Sequence, residues 1–364
     1  MIDFIPIKYY SFLYYQFILL IGFITLFHTY VLKESEIKVL IFNRFFSLFV
    51  FSTVLFYIGL RPLNGVFVDM TTYAHSFNQY KHGMPISDHG DIGFAYFLKF
   101  TSQIMSQDMF FLLCAFIYIY PLFKACKNWF PFHYFFPFLM LIGSFSFWTY
   151  GVNGMRNGMA TSVFILALSY VFKNRKLAFI FFAIALALHK SMMLPLMAYL
   201  VTTIMTDTKK YYFFWVLAIL LSVTMGGVWE NLFASLGFGD DRFAAYLTQE
   251  ADASKFSSTG FRYDFLLYGA VPLMFGYFYI FKKGYNNIEY KRILHTYIVA
   301  NGFWIMVIRA NFSNRFAYLS WFLMAIVIAY PLFKEALVKK QFKKIGVIIL
   351  LYYGFTYAMY NVYY

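Results

Sequence analysis

Arginine, histidine and carboxylate side chains gather at five places in a chain otherwise dominated by aliphatic and aromatic residues. The first begins at Arg61-Pro62 and continues through Asp69, Tyr73, His75, His82, Asp88, His89 and Asp91. His75, His82 and His89 with Asp88 and Asp91 invite a metal reading, but their spacing matches no common zinc pattern, and no metal is expected. The second is Gly151-Val152-Asn153-Gly154-Met155-Arg156-Asn157-Gly158-Met159-Ala160. Gly154 and Gly158 make a GxxxG step suited to close helix approach, with Arg156 snorkelling to water. An arginine between two glycines at the positive end of a helix also makes an anion site. Both readings stay open at this point. The third place is His189-Lys190-Ser191, after the apolar run Phe179 to Leu188. A lone histidine at a helix end is more often structural than functional. The fourth is Arg309-Ala310-Asn311-Phe312-Ser313-Asn314-Arg315, a polar step bounded by two arginines. The fifth, 229–263, sets Glu230, Asp240, Asp241, Glu250 and Asp252 against Arg242, Lys255 and Arg262.

The elements that must position these groups are set by composition. The 364 residues are 62% hydrophobic, 24% aromatic and 13% charged, with a mean hydropathy of +0.63. Soluble domains carry about 25% charged residues, so this chain cannot cover a water-facing surface. Soluble enzyme, secreted domain and single-anchor protein are excluded. The chain reads as an all-α polytopic integral membrane protein with residues 1–364 as a single transmembrane domain. The first apolar run, about 9–31, is long enough to span and is followed by no cleavage site, so no cleavable signal peptide is expected. Cys114 and Cys126 fall on one helix about 18 Å apart, too far for a disulfide, and read as packing residues.

A net charge of +14 could suggest nucleic acid, but its distribution assigns it to the membrane and no nucleic-acid partner is expected. Apolar runs lie at roughly 9–31, 39–60, 108–126, 130–148, 157–172, 177–205, 211–228, 264–282, 293–309, 315–333 and 345–360. If 177–205 is two short helices meeting near His189-Lys190-Ser191, every basic break falls on one side. That side then holds 19 Lys and Arg with 5 acids, and the other holds 11 of each, which is the positive-inside pattern. About twelve helices follow (range 10–13), with both termini outside. Two longer external segments result: 61–107, with Ile92 to Met105 as an interfacial helix, and 229–263, a loop suited to act as a lid. All five polar places then reach the external face, where ionisable groups near the membrane are functional candidates. No internal repeat of the transporter kind is evident.

With the residues in this order, the chain resembles the EpsG family of Wzy-type bacterial polysaccharide polymerases. The resemblance runs from about residue 60 to 330. It rests on Arg61-Pro62 with Asp69, Tyr73 and Phe77; on Asp91-Ile92-Gly93-Phe94; and on Gly154-Met155-Arg156-Asn157-Gly158-Met159-Ala160. Leu188-His189-Lys190-Ser191 and Arg315-Phe316 complete it. Asp91 stands where the family more often has Glu, and Asn157 where Gln is frequent.

The resemblance implies a GT-C-like glycosyltransferase of the bacterial cytoplasmic (inner) membrane, working at its periplasmic face without metal or cofactor. Its substrates would be polyprenyl-pyrophosphate-linked oligosaccharide repeat units, and its expected partners a Wzz-type chain-length regulator and a Wzx-type flippase. Arg61, Arg156, Arg309, Arg315, Arg242, Tyr73 and Asp91 are then candidates to bind pyrophosphate or sugar. Arg156 is also a catalytic candidate, and His189 or Asp69 the candidate general base. Two other readings use the same lipid: an O-antigen ligase, and a flippase with a cationic cavity. Motif order favours the polymerase over the first, and the missing repeat argues against the second.

Overall fold

The computed structural model describes residues 4–34, 36–86, 91–235, 260–310 and 313–363. Asp88, His89 and Arg242, with 236–259 of the expected lid and the Asn311-Phe312 pair, lie outside the described residues. The described residues hold helices and no strand. In chain order these are α1 Tyr10–Val31, α2 Ile37–Gly59, α3 Val68–Lys81, α4 Ile92–Ile104 and α5 Gln107–Trp129. There follow α6 Phe135–Ile142, α7 Phe145–Val152, α8 Met155–Tyr170, α9 Arg175–Leu188, α10 Met193–Ile204 and α11 Thr208–Ser235. The remainder are α12 Tyr263–Tyr277, α13 Ile288–Met306, α14 Ser313–Trp321, α15 Met324–Ala329 and α16 Gln341–Tyr363.

Among the described residues, six helical stretches are long and apolar enough to cross a membrane: Ile7–Val31, Ile37–Gly59, Gln107–Trp129, Tyr263–Lys282, Ser313–Phe333 and Gln341–Val362. The pair α6 and α7, bent by 66°, adds a seventh if it counts as one span. The protein is therefore an all-helical, multi-pass membrane protein. These spans are fewer than the roughly twelve expected from hydropathy. Helices α8, α9 and α10 have 16, 14 and 12 residues. At 1.5 Å per residue they reach about 18–24 Å, short of a hydrocarbon core of about 30 Å.

Two compact units make up the chain: Met1–His189 with Leu332–Tyr364, and Lys190–Pro331. In the first, α5 packs on α8, α8 on α9, α1 on α16, and α2 on α5 and α6. The short α3 and α4 pack together, and α4 leans on α9. In the second unit α13 packs against α10, α11 and α14.

Local chemistry explains the ends that matter. Ser106 caps α5 by accepting from the Met109 amide, and Asn174 caps α9 by accepting from Leu177, satisfying donors a helix start leaves open. The 177–205 run breaks where its polar step stands. α9 ends at Leu188, His189 is extended (φ −156°, ψ 122°), and a 3-10 turn, Lys190–Met192, leads into α10. A second run expected to be one helix, 130–148, breaks at Gly143-Ser144 between α6 and α7. Helix α3 was not legible as such within 61–107. Its buried residues Met70, Tyr73, Ala74 and Phe77 follow the helical period of one apolar face. Cys114 and Cys126 are both free and buried, as packing residues should be.

Candidate active site

Helix α8 starts where α3, α4 and α9 of the same unit bring their functional groups. Gly158, one turn into α8, makes that start possible. A Cβ there would lie 2.7 Å from the Tyr150 carbonyl of α7 and 3.1 Å from the Tyr118 ring of α5, so Gly158 seats α8 against both, whereas a Cβ on Gly154 would meet Tyr150 alone. Gly93, in the first turn of α4, has the same role toward α9. Its Cβ would meet the Ala187 carbonyl at 2.4 Å, and this approach carries Asp91 up to His189.

Arg156 is the centre of the cluster. Its Nε donates to Tyr73 Oη at 2.7 Å and its Nη1 to Asp91 Oδ2 at 2.6 Å. The guanidinium lies 5.8 Å from the ring centroids of both Tyr73 and Phe94, within cation–π range. His189 Nε2 stands 3.8 Å from the same Asp91 oxygen. Side-chain exposure is 5% for Asp91, 18% for His189 and 23% for Arg156. The carboxylate is thus enclosed, while Arg156 and His189 keep an open edge. Of the five N–H donors of a guanidinium, these two bonds use two, and the other three are donors a phosphate can take.

The electrostatics follow from this enclosure. Burial works against the Arg156 charge, but Tyr73 and Asp91 outweigh it and hold its pKa above the usual value. Burial keeps the Tyr73 phenol protonated well beyond its ordinary range, although Arg156 pulls the other way. Tyr73 therefore accepts from Arg156 while retaining a proton of its own to donate.

The positive start of α8 is already occupied. Asp69 Oδ2 accepts from the Met155 amide at 3.2 Å, so a resident carboxylate takes the place expected for a bound anion. Arg61 touches the same residue from its side chain. Its Nη2 donates to Met155 Sδ at 3.1 Å and its Nη1 to the Ile58 carbonyl at 2.6 Å, a favourable place for a cation at the end of α2. Arg61 is only 1% exposed, flanked by the rings of Phe67 and Phe111. Its buried Nε has no partner among the described residues. Burial lowers its pKa to about 10. In this state Arg61 supports Met155 and does not itself face outward.

Asp69, Tyr73, Asp91, Arg156 and His189 thus meet within the first unit. Arg309 and Arg315 belong to the second. Arg309 donates through Nη1 to the Ser222 carbonyl and lies 5.2 Å from the Phe261 ring. Arg315 is exposed in the first turn of α14. His75 and His82 are engaged along α3 with Gln79 and with the Asn78 carbonyl. Among the described residues no three His, Cys, Asp or Glu are gathered as for a metal. Phe94 and the Met155 amide were not singled out from sequence as site groups. Phe94 stood inside a quoted motif, but a backbone amide leaves no side-chain signal.

The EpsG family model matches residues 44–364, from within α2 to the end of the chain. The chain belongs to the EpsG family. Wzy-type polymerases are the general kind of protein in this family, and the family places this EpsG member in polysaccharide biosynthesis at a membrane. No curated protein and no solved structure matches the chain. The matched range includes every site residue described above.

Proposed function

We propose that this EpsG-family protein is a Wzy-type polymerase. It joins polyprenyl-pyrophosphate-linked oligosaccharide repeat units at the external face of the bacterial cytoplasmic membrane. The observation that carries this reading is the convergence of Arg156 and His189 on Asp91, beside Tyr73. One centre there combines an anion-binding cation with an adjacent proton acceptor.

The reaction requires both. An acceptor hydroxyl on the non-reducing end of a new repeat unit attacks the anomeric carbon of the growing chain. A C–O bond forms there, the bond from that carbon to the pyrophosphate oxygen breaks, and the lipid pyrophosphate leaves with the electron pair. The hydroxyl proton passes to a base. Arg156 suits the leaving group because a guanidinium offers paired, permanently charged donors to phosphate oxygens. Stabilising charge as it develops is commonly the largest catalytic contribution. His189 suits the proton because imidazole titrates near neutrality, and the imidazolium it would form meets the Asp91 carboxylate already in place. Tyr73 can donate to a phosphate or sugar oxygen. Arg315 and Arg309 are proposed as further contacts to the substrate, and a Wzx-type flippase and a Wzz-type regulator as partners in its supply and in chain length.

Deletion of the gene with analysis of surface polysaccharide tests this reading. Loss of a polymerase leaves single repeat units exported. Absence of any export would indicate a flippase, and polymer retained on the carrier lipid a ligase.

A further inference from the structure

Helix α11 is broken inside its run. Met225 has φ −138° and ψ 30°, outside the helical region, and Gly226-Gly227 follow it. Each helical carbonyl accepts from the amide four residues on. A break at Met225 therefore takes the Gly226 amide, the ordinary partner of the Ser222 carbonyl, out of line. That carbonyl has another donor, Arg309 Nη1. Beside it the Thr224 hydroxyl donates back to the Leu220 carbonyl at 2.8 Å, a bond that bends helices.

Arg309 stands in the turn after α13. Its guanidinium lies 5.2 Å from the ring of Phe261, two residues before α12 starts at Tyr263. A cation at the end of a helical segment is favoured by the dipole, and the ring adds a cation–π contact. The segment of α11 before the break is fixed to α13 by other means. Trp215 Nε1 donates to Asn301 Oδ1 at 2.8 Å, and a Cβ on Gly302 would stand 2.5 Å from the Phe214 ring. The break thus divides an anchored segment from residues 226–235 beyond it.

We propose that Met225-Gly226-Gly227 is a hinge of α11 and that Arg309, held on Phe261, is the latch that keeps it bent. Sharp kinks usually come from proline or from a side chain inserted into the carbonyl ladder, and this stretch of α11 has no proline. The bend is held instead by one flexible side chain from another element. Two glycines in a row supply backbone freedom. Packing does not account for the second, since a Cβ on Gly227 would meet nothing within 4 Å. The latch lies wholly in the second unit and does not depend on the polymerase reading.

The test uses the full chain in phosphatidylcholine nanodiscs, with spin-label pairs read by double electron–electron resonance. The native cysteines, both buried, are replaced by alanine in every variant. Labels at Ser235→Cys and Leu267→Cys span the hinge to α12, and labels at Val216→Cys and Leu267→Cys, both exposed positions, stay on its near side. A rotation of about 20° at Met225 moves the end of α11, about 15 Å away, by about 5 Å. Arg309→Met removes the donors and keeps a long side chain. It is expected to shift or broaden the first distribution by about that amount and to leave the second unchanged. Phe261→Leu removes only the ring; it is expected to act in the same direction and carries the test if Arg309→Met does not fold. Adding Gly227→Ala to either variant is expected to narrow the first distribution again, because alanine has less backbone freedom and prefers the helix. A first distribution unchanged in both variants, or an equal change in the two distributions, would overturn the latch. Broadening that persists with Gly227→Ala would place the motion elsewhere and overturn the hinge.

Discussion

Arg156 and His189 approach one oxygen atom, Oδ2 of Asp91, at 2.6 and 3.8 Å. A carboxylate so placed balances the guanidinium and, under the proposed reaction, would also balance the imidazolium formed when His189 takes a proton. On that proposal charge would move within the cluster without being created in an unpaired form, which a partly buried site disfavours. Asp91 itself sits on α4, Arg156 on α8 and His189 at the end of α9, so the relationship depends on how three helices pack.

That dependence is testable at Gly93. Alanine would gain up to about 1 kcal/mol of helix preference, but its methyl would stand 2.4 Å from the Ala187 carbonyl. Backbone cannot swing aside, and overpacking of this kind costs about 1–3 kcal/mol. Gly93→Ala should therefore push α4 off α9, separate Asp91 from His189 and reduce polymer formation by about 10². Gly65→Ala, where a Cβ meets nothing within 4 Å, should leave activity and the melting temperature unchanged. Comparable activity from the two variants would show that the α4–α9 contact does not set the site.

Arginine chemistry and simple charge give different results at residue 156. Paired N–H donors hold both Tyr73 and Asp91, and a lysine ammonium cannot reproduce that fork. Arg156→Lys should lose at least tenfold in polymer synthesis by purified protein given lipid-linked repeat units. Arg156→Ala should lose at least as much, with normal protein levels in the membrane. Arg315→Lys, at an exposed position, should lose less. A fully active Arg156→Lys variant would reduce Arg156 to a packing or snorkelling group.

How far the sequence disclosed this arrangement differs from place to place. The break at His189 was legible because histidine, lysine and serine interrupt an apolar run where no span tolerates them, and the chain turns there. The break at Gly143-Ser144 was not, because two small residues barely dent the hydropathy of 130–148. Helix α3 was hidden for the opposite reason: its polar residues outnumber the apolar ones, and only the spacing of Met70, Tyr73, Ala74 and Phe77 betrays a buried face. The order of the motifs named the residues that meet, Asp69, Tyr73, Asp91, Arg156 and His189. It did not separate those that face the opening from Arg61, whose burial depends on Phe67 and Phe111 arriving from elsewhere in the chain.

Topology gives a further prediction. If all basic breaks are cytoplasmic, a cysteine at Ser191 should react with an impermeant thiol reagent added outside, and one at Asn174 should not. The native Cys114 and Cys126 are buried and should contribute little background. Labelling of the Asn174 site together with protection of the Ser191 site would invert the assignment and move the candidate active site to the cytoplasmic face.

The base is assigned by comparing His189 with Asp69, the two candidates. Asp69 is engaged as a cap, since its Oδ2 accepts from the Met155 amide at 3.2 Å. Asp69→Asn keeps a carbonyl oxygen for that bond and removes only the charge, whereas Asp69→Ala removes both. If Asp69 serves α8, the asparagine variant should retain most activity. The alanine variant should lose more, along with about 0.5–2 kcal/mol of stability, the usual cost of a lost cap. His189→Gln keeps a hydrogen-bond donor but cannot take up a proton near neutral pH. With His189 as base, the glutamine variant should fall by about 10² or more in the polymerisation rate at saturating lipid-linked substrate, while substrate affinity changes little. The opposite pattern, an active His189→Gln and a dead but well-folded Asp69→Asn, would transfer the proton to Asp69 and leave His189 as a donor to the pyrophosphate.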